Sequence, residues 1–125
     1  MPNPGPARYV DGFVVPVPTN NLAAYLRLAR AAARVWREHG ALDYKECVGD
    51  DLDIPMCLPF PRGIRTKPGE TVVFAWISYR SRAHRDRVNA KVMKDPRIQE
   101  ACASGQMPFD GKRMLYGGFK VAVQG

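Results

Sequence analysis

The sequence is poor in the residues that build covalent or metal frameworks. It has three cysteines. Cys47, Cys57 and Cys102 are odd in number, widely spaced, and form no C-x-x-C pair. A disulfide framework is therefore not expected. A reducing cytosol is the expected location, and each cysteine reads as a small core residue. Only two histidines occur, His39 and His84. That excludes a three-histidine metal site, and neither H-E-x-x-H nor H-x-x-E-H spacing is present. Glycine-rich phosphate loops, dinucleotide fingerprints and G-x-S-x-G are also missing, so no cofactor is expected. No apolar run is long enough to span a membrane; the longest, Val72–Ile77, has the length of a strand. Acidic residues are scarce, 12 Asp and Glu against 19 Lys and Arg, for a net charge of +7. That balance permits an acidic partner but bears on association rather than on fold.

What is present is ordinary for a single globular domain: 125 residues, 46% hydrophobic and 25% charged. Met1–Ala7 is proline-rich, lacks the basic-then-apolar order of a signal peptide, and reads as a floppy leader. Residues 8–125 read as one domain. Two strand-then-helix units follow each other. Arg8–Val17 leads into a helix over Asn20–His39, and Thr71–Arg80 leads into a helix from about Arg82. Apolar strands at Leu42–Val48 and Arg113–Val123 close the units. This βαβ-βαβ pattern predicts an α+β fold, an open sheet with helices on one face.

Local signals mark the boundaries. Thr19, Asn20 and Asn21 offer N-cap oxygens. Leu22, Tyr25, Leu26, Ala29, Ala32, Ala33 and Trp36 recur at helical spacing, and Gly40 is placed to stop the helix. Arg27, Arg30, Arg34 and Arg37 form a solvated stripe. After the second strand, Asp50–Pro61 is a long loop or flap. Arg62–Lys67 is expected to be a short strand that hairpins with Thr71–Arg80 through the Lys67–Glu70 turn. Ser81 caps the next helix, with Val88, Val92 and Met93 on its buried side. Asp95-Pro96 starts a second short helix over Arg97–Ala103. Gly117 and Gly118 inside the last strand predict a bulge or a close backbone approach.

The strand Thr71–Arg80 is apolar on both faces and reads as the buried centre of the sheet. Val73, Ala75, Ile77 and Tyr79 are assigned to the helices; Val72, Phe74, Trp76 and Ser78 to the opposite face. Leaving Phe74 and Trp76 wet forfeits several kcal/mol at ~25 cal/mol per Å². Either a second copy covers them, or they stack bases. Phe74–Tyr79 resembles the end of the third-strand motif of RNA-recognition motifs. Val72 and Val73 stand where that motif has a basic residue and Gly, so nucleic acid is not the expected partner.

Candidate site residues follow from chemistry and placement. Tyr44 and Glu46 share a face of the second strand; if that face looks into the space between sheets, burial raises the carboxyl pKa and makes Glu46 a base with Tyr44 as donor. Asp11 poses the same question in the first strand. His84 is a proton carrier by type, and Asn89 is grouped with these three as a candidate catalytic residue. Arg85, in the arginine-rich entry to a helix, fits an anion. Asp110 and Arg113 flank a turn within reach of a ligand. Asp11, Phe74, Trp76, Arg85, Asp110 and Arg113 are the candidate ligand-binding set. For most of these positions, a structural role is the competing expectation.

Four segments, Tyr9–Pro18, Trp36–Tyr44, Ser81–Met93 and Met107–Phe119, resemble the YbaA-like family of small bacterial proteins, a domain of unknown function. The resemblance spans about residues 8–123, with Met1–Ala7 as an extension. It implies a ferredoxin-like βαββαβ fold in the dimeric α/β-barrel superfamily, with sheets packed face to face in a homodimer. It carries over no activity and no catalytic residues. Fold-level analogy reaches cofactor-independent monooxygenases, small isomerases and haem proteins. The functional expectation is a small organic ligand held in a pocket between sheet, helices and the Asp50–Pro61 loop, with enzymatic oxygenation or isomerisation as the alternative.

Overall fold

The computed structural model describes residues 6–103, 105 and 107–125. Of the expected leader, only Pro6 and Ala7 are among them. The elements are β1 (Tyr9–Pro18), α1 (Leu22–Glu38), β2 (Asp43–Val48), a one-turn α2 (Phe60–Gly63), β3 (Glu70–Tyr79), α3 (Arg82–Met93), α4 (Pro96–Ala103) and β4 (Leu115–Lys120). The four strands form one sheet in the order β2-β3-β1-β4. Each neighbouring pair is antiparallel.

The period of two along the strands decides what is buried. Val73, Ala75, Ile77 and Tyr79 of β3 are all buried, beside Tyr9, Val15 and Val17 of β1. Two clusters fill the space under the helices. In one, Val35 of α1 and Val88 and Val92 of α3 meet Tyr9, Ile77 and Tyr79. In the other, Tyr25 and Ala29 of α1 meet Val15, Val17 and Val73. The aliphatic set therefore faces the helices, as expected, and Phe74 and Trp76 face away.

Helix ends follow local chemistry. Ser81 Oγ accepts the His84 N–H at 3.1 Å, and the Asp95 carboxylate accepts the Arg97 N–H at 2.9 Å ahead of α4. Gly40, with φ +113°, ends α1. The Lys67–Glu70 turn has Gly69 at φ +82° and a Glu70 N–H to Lys67 carbonyl bond of 3.1 Å.

Several expectations are corrected. Arg62–Lys67 is not a strand: Pro59, Phe60 and Pro61 open the short α2 instead, since proline fits the first helical turn and cannot serve a ladder. The side chains expected to cap α1 bond elsewhere: the Thr19 hydroxyl donates to the Gly69 carbonyl at 2.9 Å and Asn21 Nδ2 to the Pro108 carbonyl at 3.2 Å. A 3-10 turn over Thr19–Asn21 leads into the helix. Met93 is exposed, and His84 takes a place on the buried side of α3. The three cysteines are free and exposed rather than in the core. The opposite face of β3 is not uniformly buried either: Phe74 is 42% exposed. Gly118 marks a close approach, because a Cβ there would collide with the Tyr9 hydroxyl.

Candidate functional site

Opposite the helices, three rows of side chains cross the sheet. Asp43, Ser78, Val10 and Phe119 make the first, Lys45, Trp76, Gly12 and Gly117 the second, and Cys47, Phe74, Val14 and Leu115 the third. The middle row carries two adjacent glycines, which leaves a trough in an otherwise apolar surface. The Phe119 ring lies across it: a Cβ on Gly12 would sit 3.4 Å, and one on Gly117 3.6 Å, from its edge. The resulting groove has a volume of about 670 Å³ and is lined by Val10, Gly12, Val14, Phe74, Trp76 and Phe119 among others. Leu115 and Phe119, at its β4 margin, are 55% and 61% exposed. At the other margin Phe60 of α2 stands edge-on to Phe74 at 6.3 Å, and Phe74 edge-on to Trp76 at 5.7 Å. Lys45 lies over the Trp76 ring and pairs with Asp43 at 2.7 Å.

On the helix side, Asp11 is almost fully buried. The Ser81 cap sets α3 so that Arg85, one turn in, reaches it. Arg85 Nη1 donates to Asp11 Oδ1 at 2.9 Å and to the Tyr116 hydroxyl at 2.9 Å, while Nη2 donates to the Tyr9 hydroxyl at 3.3 Å. The Tyr116 hydroxyl donates in turn to Asp11 Oδ2 at 3.3 Å. Its ring stacks on Phe13 with centroids 4.7 Å apart. Asn89 sits behind this group, and its Oδ1 accepts from Trp36 Nε1 at 3.1 Å and the Tyr79 hydroxyl at 3.4 Å. Burial pushes the Asp11 carboxyl above its ordinary value, and Arg85, followed by Tyr116, Asn89 and Tyr79, opposes the rise. Burial works against the Arg85 charge too, but Asp11, Tyr116, Tyr9 and Asp86 together more than offset it, and the guanidinium pKa is raised.

The second polar cluster lies between α1 and β2. Tyr25 donates to Glu46 Oε1 at 2.7 Å and Tyr44 to Oε2 at 2.8 Å. No cationic side chain among the described residues forms an ion pair with Glu46. Burial therefore raises the Glu46 pKa despite both donors. The two phenols are pushed up by burial and then by the Glu46 charge. The cluster holds a carboxylate by hydrogen bonds alone, the electrostatic setting of a proton acceptor.

The candidate residues thus fall into groups. Asp11, Arg85 and Asn89 come together on one side, Tyr44 and Glu46 on another, and Phe74 and Trp76 on the open face. His84 stands apart. Its Nδ1 accepts the Arg80 N–H at 3.0 Å, and burial, then Arg80 and Arg87, lowers its pKa. Asp110 caps its own turn through the Lys112 N–H at 3.0 Å. Arg113 grips Glu70 at 2.6 and 2.8 Å and the Arg65 carbonyl at 3.0 Å. Tyr9, Tyr25, Tyr79 and Tyr116 were not singled out from the sequence. Their alternation with apolar strand neighbours, or their place on an apolar helix stripe, is the pattern of core aromatics. Among the described residues, no group of three or more His, Cys, Asp or Glu is placed to hold a metal ion, and no helix is long and apolar enough to cross a membrane.

The fold and site define an α+β protein with a four-stranded antiparallel sheet, one face under helices and the other carrying an apolar groove. The chain belongs to the family described as protein of unknown function (DUF1428), whose profile matches residues 8–111. It is 46% identical over 116 residues, 93% of this chain and 97% of the relative, to the uncharacterized protein YbaA of Escherichia coli strain K12. It shows the same identity and coverage to the proteins of that name from Escherichia coli O157:H7 and Shigella flexneri. These bacterial relatives bear out the resemblance to a YbaA-like family of unknown function.

Proposed function

We propose that the chain is a ferredoxin-like subunit whose open sheet face packs on that of a second copy, as in dimeric α/β barrels, and that the pair encloses a small, largely apolar organic molecule. The observation that carries this reading is the glycine trough. Gly12 and Gly117 leave a groove of about 670 Å³ between Trp76, Phe74 and Phe119, within the size range of pockets for small molecules. A facing sheet brings its own trough and leaves a chamber between them. The strand order β2-β3-β1-β4 with two βαβ units supports the ferredoxin-like assignment. Three free cysteines fit action in a reducing cytoplasm.

The enzymatic alternative, cofactor-independent oxygenation or isomerisation, is less favoured, because Glu46, the carboxylate held by two tyrosines without a counter-ion, lies on the helix side of the sheet and across it from the groove. The base-stacking alternative is weaker, because β1 presents Val10, Gly12 and Val14 to the open face and no aromatic partner for Phe74 and Trp76.

A thermal-shift screen of small organic molecules tests the binding reading. Planar apolar compounds are expected to raise the melting temperature of the wild type and to lose that effect in Gly12→Val, which fills the trough. A library without effect on the wild type, or equal shifts in both proteins, contradicts it.

A further inference from the structure

At the β4 margin of the groove, Leu115 and Phe119 are each more than half exposed. The flap that follows β2 offers a cover for them. Met56 is 92% exposed and Leu58 69%, flanked by the half-exposed Ile54 and Phe60. Exposed apolar residues scattered singly need no explanation, but these join a single surface. It runs from the flap through Phe60, Phe74 and Trp76 by edge-on ring contacts, and on to Phe119 and Leu115.

Charge selects what that surface meets. On the sheet itself its ionic side chains come in opposite pairs, Lys45 with Asp43 and, at the end of the same face, Arg113 with Glu70, while the flap adds the acidic Asp50, Asp51 and Asp53. No excess of positive charge gathers on this face of a chain of net charge +7. A polyanion is drawn to the basic parts of such a chain and gains nothing here. Two copies repel each other least when these faces meet.

Facing sheets admit two in-plane two-fold axes: one across the strands sets flap against flap and β4 margin against β4 margin, and one along the strands, taken here, gives each margin the flap that it lacks. The flap hangs from the β2/β3 side, where Phe60 overlies Phe74, while Leu115 and Phe119 lie on the opposite edge strand. A two-fold axis running roughly along the strands exchanges the two sides of facing sheets. The isologous interface then sets the flap of each copy against the β4 margin of the other. Resting on the paired-sheet reading above, we infer that Met56 and Leu58 of each copy lie against Leu115 and Phe119 of its partner. They close the open end of the partner's groove, so each ligand chamber is built from both chains.

The test places a benzophenone amino acid at position 58 of the full chain. Equal amounts of light and isotopically heavy protein are mixed, equilibrated and irradiated. Mass spectrometry is expected to find light-heavy peptide pairs joining position 58 to the segment Leu115–Lys120. Sedimentation of the same samples separates the two levels of the claim. Paired protein whose cross-links stay within one chain, or reach the partner elsewhere, overturns the flap assignment and leaves the paired sheets standing. Protein that sediments as a single chain overturns both. A double variant, Met56→Ser with Leu58→Ser, checks the energetics without touching the core. It should keep the wild-type melting behaviour when dilute and dissociate with a Kd raised about a hundredfold; an unchanged Kd counts against the flap.

Discussion

Arg85 and Asp11, 74 residues apart in the chain, meet at 2.9 Å in the floor between α3 and β1. The carboxylate side chain is 2% exposed and the guanidinium side chain 14%. Such a pair is costly to break from one side, because the remaining charge has no water to turn to.

Arg85→Met is accordingly expected to cost about 3 kcal/mol at neutral pH. The loss should shrink in acid. The Asp11 pKa is already raised in the folded state, so protonation favours folding, and a protonated Asp11 needs no counter-ion. Urea unfolding midpoints across pH check this. A loss that stays constant from neutral pH to acid would place the damage in packing rather than charge.

Glu46 gives the same sign more simply. Its folded pKa is raised above the ordinary 4.5. It therefore adds stability below that value and withdraws it as pH rises through the folded pKa. Glu46→Gln should be the more stable protein at neutral pH, with the difference closing on acidification toward 4.5. Tyr25→Phe and Tyr44→Phe should each cost about 1–2 kcal/mol at neutral pH, by removing one donor from the carboxylate. Chemical denaturation of the three variants at several pH values measures both effects.

Glu70 has the opposite sign. Arg113 holds its carboxyl down to about 2, below its unfolded range. The fork stabilises the fold above pH 4.5 and loses that contribution as pH falls toward 2. Arg113→Ala should remove this part of the acid dependence, flattening the stability profile in that window. A profile parallel to the wild type would refute the coupling.

Gly118 of the last strand and Gly12 of β1 should not tolerate substitution alike. Gly118→Ala drives a methyl into the Tyr9 hydroxyl, with an expected cost of about 1–3 kcal/mol. Gly12→Ala meets the Phe119 ring at 3.4 Å, ordinary contact, and should fold normally. Circular-dichroism melts of both variants distinguish the collision from the tolerated contact.

Much of this architecture is legible in sequence where a short-range cause acts. Ser81, Asp95-Pro96, Gly40 and the Lys67–Glu70 turn each announce themselves within four residues, and the alternation in β3 sorts Val73 from Phe74 before any coordinates. Arg62–Lys67 misleads because its composition suits a strand, while the proline pair just before it decides for a helical turn. The candidate site is legible only in part. Asp11, Tyr44 and Glu46 stand out as polar groups on apolar strands, and Arg85 by its arginine-rich helix entry. Tyr116 and Tyr25 do not, since a tyrosine among apolar residues looks like core. Their hydroxyl partners lie 105 and 21 residues away, beyond any periodicity.

A closed chamber requires two sheets that cover each other. Sedimentation equilibrium of the wild type and of Phe74→Glu tests this most directly. Twice the chain mass at micromolar concentration for the wild type, with a folded single chain for the variant, is the result expected. A wild type that stays at one chain mass throughout, Trp76 fluorescing as a solvent-exposed indole, would contradict it.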